Sequence, residues 1–552
     1  MSDEEKNVSP EKYSADGVDV VTGHPSDNVD GLHRLLNNRQ IQLIAIGGSI
    51  GTALFVSIGG GLAKGGPAGL FLAYTLYSGV LALVNNSIAE MSTYMPVSGG
   101  FIRLAGHWVD DALGFMAGWN FFLYEGLLIP FEITAINLVL SYWAPNISNP
   151  GPTAGLCIAV IILYAALNIL AVRAYGEAEF WLSGGKIILI LILFSFTFVT
   201  MVGGNPQGDA YGFRYWSNPG AFADVYGTDA LGRFEGFLGA LWSAIFTIVG
   251  PEYISMVAAE AKRPSIYIKA AFKTVYYRFC FFFVTGSLAV GIVVPWNYDK
   301  LRAIYVDFTE GGGDAGASPY VMAMNILGVN VLPHIVNALM ITSIFSAGNT
   351  YTYCATRSLY SLALEGRAPR FLRKTTAQGV PIWCFCVVMI FPMLSFLSCS
   401  SGSAEVLNWL ITLMTAGGII NYLVMGITFI CYYRACQAQG VDRTKMPYYG
   451  RFQPYGAYLA LFIQVLVVLC YGYKSFQPWS VKAFFQNYTM QIIAPLLFIG
   501  WKVVKRTRWL RPHEVDLIWE RPIIDAYENS ITEPAVGFWT EMAQLVGLRR
   551  KK

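Results

Sequence analysis

Residues 41–57 read IQLIAIGGSIGTALFVS. The run opens as an apolar helix and loses its helical logic halfway, where Gly47, Gly48 and Gly51 surround Ser49 and Ile50. Glycine inside a helix costs about 1 kcal/mol relative to alanine. In lipid, a helix break is tolerated only where the freed backbone lines a protein cavity. A broken helix offers N–H groups at the start of one half and carbonyls at the end of the other, partners for a carboxylate and an ammonium. The stretch reads as half of a site for a zwitterion. Close packing of helices on small residues is the competing reading of the same glycines.

The rest of the chain is consistent with a membrane setting. Of 552 residues, 55% are hydrophobic and only 13% charged, the composition of an all-α polytopic membrane protein rather than a string of soluble domains. A net charge of +3 does not point to a nucleic-acid partner. The nine cysteines show neither a zinc spacing nor a disulfide framework, so metals and cofactors are not expected.

A span needs about 20 apolar residues. Twelve stretches qualify, roughly 41–61, 67–90, 115–143, 154–173, 180–203, 236–258, 275–295, 331–360, 381–399, 404–433, 455–474 and 486–505. The chain thus divides into a polar, disordered tail (1–40), a twelve-helix transporter domain (41–505) and a mixed tail (506–552). Twelve spans leave both tails on one side. Lys262, Arg263, Lys269 and Lys273 after span 6, Arg367, Arg370, Arg373 and Lys374 after span 8, and Arg434, Arg443, Lys445 and Arg451 after span 10 make that side cytosolic. Sequons at Asn146 and Asn487 fall on the opposite side. Residues 92–111 are less apolar and read as a cytosolic amphipathic or re-entrant helix.

A second interruption lies five spans after the first, in WSAIFTIVGPEYISMVAA (242–259). Gly250 and Pro251 sit near its middle, and proline removes a backbone N–H and clashes with the preceding turn. Glu252 follows at once. Matched breaks in spans 1 and 6 point to a five-plus-five inverted repeat of the leucine-transporter type, with the site between the breaks. A proline kink without a ligand is the alternative.

The runs GGSIGTALF (47–55), GGPAG (65–69), AEMSTYMPVSGGF (89–101), GWNFFLYEGLLIPFE (118–132), GPEYISMVAAEAKRP (250–264) and the long stretch 345–383 resemble the fungal amino-acid permeases of the amino acid–polyamine–organocation superfamily. The resemblance covers roughly 35–505 and implies amino-acid uptake, usually with protons. Two positions depart from the family pattern: Ala53 replaces a usual glycine, and Pro251 a usual small or hydroxyl residue. Both flank the expected pocket, so substrate choice does not transfer.

In the first break, N–H groups around Gly48, Ser49, Ile50 and Gly51 are expected to hold the substrate carboxylate, with a hydroxyl of Ser49 or Thr52 assisting. Carbonyls from Thr247 to Gly250 take the ammonium, and Phe246 and Ile248 wall the pocket. Glu125 and Glu132 are seven residues apart and share a helix face. Charged groups at bilayer depth usually point inward. Glu132 matches the family's glutamate, whereas Glu125 stands where relatives have an apolar or aromatic residue. It either faces the pocket or is solvated near the interface. Lys186 matches the family lysine thought to replace a sodium ion between spans 1, 5 and 8. It is expected to bond carbonyls of the first break and hydroxyls near Ser343 and Ser346, and to take part in proton coupling; snorkelling to the interface is the alternative. Glu252 is a proton site or a brace across the sixth break.

The function expected is import of amino acids across the plasma membrane by proton symport with alternating access. A sensor of the same fold, and an exchanger or polyamine carrier of an internal membrane, are the alternatives. Lys6 and Lys12 are candidate attachment points for the ubiquitin machinery. An enzyme is not expected, because no nucleophile–base pair or metal cluster appears in a soluble region.

Overall fold

The computed structural model describes residues 34–170, 172–306, 318–376, 379–400, 403–476, 478–532 and 534–545. Lys6 and Lys12, and most of the first tail, lie outside them. Nine helices among the described residues are long and apolar enough to cross a membrane. One of the nine, Ala53–Tyr94, contains two spans, because Gly66 (φ 71°) and Pro67 interrupt it. Leu332–Leu364 and Val481–Lys505 are long enough but more polar, and they complete the set of twelve.

Span 3 (Asp111–Leu140) is the centre of the bundle. It packs on span 8 (Leu332–Leu364) and span 10 (Ser403–Ala438), and it buries Asn120, Glu125, Glu132 and Asn137 along with its apolar residues. A helix covered on all sides shields carboxylates at lipid depth with protein. Spans 4 (Pro150–Leu170), 9 (Ile382–Cys399) and 11 (Tyr455–Cys470) bury much less of themselves inside the protein.

One boundary differs from expectation. Span 7 begins at Pro264, not near 275, so Lys269 and Lys273 belong to its first turns and not to a loop. Proline at the first helical position is well placed to start a helix, and the charges around it hide that start in a search for apolar residues. The second tail is folded. It carries the helices Arg521–Ser530 and Phe538–Leu545 and lies across the face that holds Lys262, Arg263 and Arg443, here the basic face. The helix Gly100–Trp108, the expected amphipathic element, receives it. Glu520 accepts from Arg103 (2.9 Å), Trp108 donates to the Asp516 carbonyl (3.1 Å), and Trp519 stacks on His107 (3.8 Å between centroids). Farther along, Glu528 accepts from Ser265 (2.7 Å), and Glu541 accepts from the Arg39 N–H at the start of span 1 (2.8 Å). On the same face Glu365 is largely buried, which alone would raise its pKa. The hydrogen bond from His107 and the charges of Arg103 and Arg367 win, and hold it well below the usual carboxylate range.

Candidate functional site

Span 1 breaks where the glycines lie. Its first helix runs Asn38–Ser49, Ile50 is extended (φ −123°, ψ 103°), and helical backbone resumes as a wide turn over Ala53–Ser57. The Ile50 N–H still donates to the Ile46 carbonyl (3.0 Å), so it is not among the free donors expected of the break. The N–H of Gly51, by contrast, has no partner among the described residues. Both hydroxyls expected to assist are otherwise engaged. Ser49 donates to the Ala45 carbonyl (2.8 Å), and Thr52 donates to Glu132 (2.5 Å).

The carbonyl side of this break is held by one ammonium. Lys186 is fully buried and donates from Nζ to the Gly47 carbonyl (2.6 Å) and the Ile50 carbonyl (2.7 Å). It does not snorkel. The backbone carbonyls outcompete the hydroxyls as its acceptors: the Ser343 hydroxyl has no hydrogen-bond partner among the described residues, and Ser346 donates instead to Glu179. Two carboxylates flank the break, at its two close-packed glycines. A Cβ added at Gly51 would lie 2.6 Å from Glu132 Oε1, and one added at Gly47 would lie 2.2 Å from Glu179 Oε1. Both acids are fully buried. One cation and two carboxylates thus surround the first break.

Span 6 stops as a helix at Thr247 and restarts at Pro251, within Ala230–Thr247 and Pro251–Met256. Two carbonyls lose their ordinary donors there for separate reasons. Pro251 has no N–H to give Thr247, and the Gly250 N–H turns to the Glu252 carboxylate (3.2 Å) and away from Phe246. Glu252 also accepts from Tyr422 of span 10 (2.9 Å), which ties the break to that span. Gly250 sits at φ 152°, and a Cβ there would meet only Ser49 Cβ, at 3.7 Å. The two breaks face each other: free N–H on one side, donor-less carbonyls on the other.

The sequence profile described as Amino acid permease matches residues 40–514. The chain belongs to the amino acid permease family. The permease is 44% identical over 505 residues to the General amino acid permease AGP2 of Saccharomyces cerevisiae, covering 90% of this chain and 83% of the relative. It is 37% identical over 514 residues to a Proline-specific permease of Emericella nidulans, covering 92% of each. It is 34% identical over 504 residues to the Dicarboxylic amino acid permease of Saccharomyces cerevisiae, covering 90% and 81%.

The remaining expected residues separate into two levels of the permease. Glu125 is fully buried, which removes the reading of a solvated interfacial acid. Seven residues of helix put it about 10 Å along span 3 from Glu132. It approaches the Tyr253 hydroxyl and lies within electrostatic reach of Glu252, although neither of its oxygens has a partner at hydrogen-bonding geometry. Toward the face opposite the basic one, Phe246 stacks edge-on against Phe131 (5.3 Å between centroids) and lines a cavity of about 240 Å³. None of Ser49, Ile50, Gly51, Thr247, Ile248 and Gly250 lines that cavity. Phe246 therefore stands between the cavity and the breaks. The Thr247 hydroxyl donates to the Ser243 carbonyl (2.7 Å) and accepts from Tyr74 (2.9 Å). Of the two sequons, Asn146 is exposed on the turn Pro145–Ser148. Asn487 lies inside the helix of span 12, with its amide bonded to Ser475 (3.1 Å) and the Ala483 carbonyl (2.8 Å).

Three residues were missed from sequence. Glu179 is seven residues before Lys186 and shares its helix face, the same spacing as Glu125 and Glu132, but it falls just outside a span drawn from 180. Tyr351, whose hydroxyl donates to the Gly48 carbonyl (3.1 Å), and Tyr253, whose ring lies on Gly48, are indistinguishable from packing aromatics in a chain so rich in them.

Proposed function

We propose that this permease imports amino acids across the plasma membrane by proton symport with alternating access, both tails lying in the cytosol. The α-carboxylate docks on the Gly51 N–H beside Ser49 and Ile50. The α-ammonium docks on the Phe246 and Thr247 carbonyls near Ile248 and Gly250. The observation that carries the reading is the facing pair of breaks, one with an unpartnered N–H and the other with donor-less carbonyls. Relatives named for proline and for dicarboxylic amino acids fit a site that grips the shared α-groups and leaves the side chain to other residues.

Proton coupling is assigned to the triad at the first break. Lys186, Glu132 and Glu179 are all buried. Buried charges are tolerable when they balance, and one ammonium with two carboxylates balances only with one added proton. That proton belongs to the group as a whole. Glu132 touches the break through Thr52, and Lys186 touches it through Gly47 and Ile50. A change in the triad's charge is thereby felt where the substrate carboxylate sits. Glu252, tied to Gly250 and Tyr422, braces span 6. The test is uptake of a labelled amino-acid panel, at acid and neutral pH, in cells lacking their own permeases, with membrane current recorded. Saturable uptake with an inward current, several-fold faster at acid pH, is expected for the wild type. Glu132→Gln is expected to flatten the pH dependence. Uptake without current, or no uptake from a protein present at the surface, moves the function to an exchanger or a sensor.

A further inference from the structure

The central site leaves the charged cavity above Phe246 unexplained. It is lined by Lys64, Lys474, Tyr226, Trp242, Asn408 and Phe246 among others. Lys64 comes from the second half of span 1, and its side chain runs along Gly239 of span 6, where an added Cβ would meet Lys64 Cβ at 3.1 Å. Among the described residues it forms no ion pair. Lys474, from the connection between spans 11 and 12, lies within electrostatic reach of Lys64. Lys474 pairs with Glu235 (3.1 Å) and lies over the Tyr226 ring (3.0 Å to the centroid). Two ammoniums and one carboxylate therefore leave a positive charge uncompensated in a half-enclosed, aromatic-walled space. Such a cavity concentrates anions.

Resting on the import reading above, we propose that this cavity is an outer subsite that captures the carboxylate of an incoming amino acid through Lys64, before Phe246 yields and the solute descends to the breaks. The volume of about 240 Å³ holds one small solute and falls below the usual range of larger ligand pockets. The subsite favours anionic over zwitterionic amino acids and disfavours cationic ones, because a cationic side chain meets Lys64 and Lys474 together. It acts on capture and leaves the later transport step untouched.

The test measures inhibition constants of unlabelled L-glutamate, L-proline and L-lysine against uptake of the best-transported labelled amino acid, in wild type, Lys64→Met and Lys64→Arg. A half-buried charge beside an open cavity is worth about threefold to fivefold. Lys64→Met is expected to weaken L-glutamate by that factor, weaken L-proline less and leave L-lysine unchanged or tighter, with the maximal rate kept and the wild-type order restored in Lys64→Arg. Equal shifts for all three amino acids, or none, from protein at normal surface abundance overturn the subsite. Replacing external chloride by gluconate separates the two possible anions. If that replacement abolishes the difference between wild type and Lys64→Met, the cavity is an inorganic-anion site and the proposal fails. Absence of uptake in the wild type itself would instead count against the import reading.

Discussion

Lys186→Met is expected to reduce uptake by on the order of a hundredfold or more while the protein still reaches the membrane. The side chain that replaces lysine fills nearly the same space and lacks only the ammonium. That ammonium satisfies the Gly47 and Ile50 carbonyls and, among the described residues, is the only positive charge bonded to the first break, beside Glu132 and Glu179. Removing one partner from a buried charge cluster costs about 3–5 kcal/mol, and each 1.4 kcal/mol or so is tenfold. Lys186→Arg is expected to fail as well. A guanidinium is a planar fork, whereas the two carbonyls converge on a point charge. Surface labelling of a tagged protein separates loss of transport from loss of protein. Wild-type uptake in Lys186→Met would remove the triad from the mechanism.

Gly250→Ala carries the second large effect, and the reason is conformational. There is room for the methyl group, since its nearest neighbour would be Ser49 Cβ at 3.7 Å. The backbone angle is the obstacle: φ 152° is a conformation that side-chain-bearing residues rarely adopt. Holding one there costs about 1–3 kcal/mol, equivalent to roughly fivefold to 150-fold in an equilibrium. The expected result is a tenfold or larger rise in the concentration needed for half-maximal uptake, because relaxing this residue moves its N–H off Glu252 and the Thr247 carbonyl out of the site. Glu252→Ala is expected to act in the same direction by removing the acceptor of the Gly250 N–H and the Tyr422 hydroxyl. Equal affinity in wild type and Gly250→Ala would contradict the assigned ammonium site.

Glycine and proline made the two breaks readable, because their effects on a helix are local and large. The twelve spans were readable for a similar reason, since lipid demands long apolar runs. Span 7 was misplaced at its start, because Lys269 and Lys273 put charges into its first turns; Arg278, farther along, is buried against Gln42 of span 1 (2.8 Å). Hydrogen-bonding preferences were less visible. Sequence offered Ser49, Ile50 and Thr52 as ligands, yet each already spends its donor on Ala45, Ile46 or Glu132. Glu179 was lost to a boundary drawn one residue late. The docking of the second tail on Arg103 and Arg39 joins positions hundreds of residues apart, and no local pattern announces such contacts.

The central claim is that the breaks grip the α-carboxylate and the α-ammonium and leave the side chain to the rest of the pocket. Purified permease in lipid nanodiscs tests it directly, by calorimetric binding of the best-transported amino acid, its carboxamide and its N-acetyl derivative. The account predicts saturable binding of the free amino acid and at least a tenfold loss for each derivative, because each removes one charge-assisted contact. Comparable affinity for all three would contradict it.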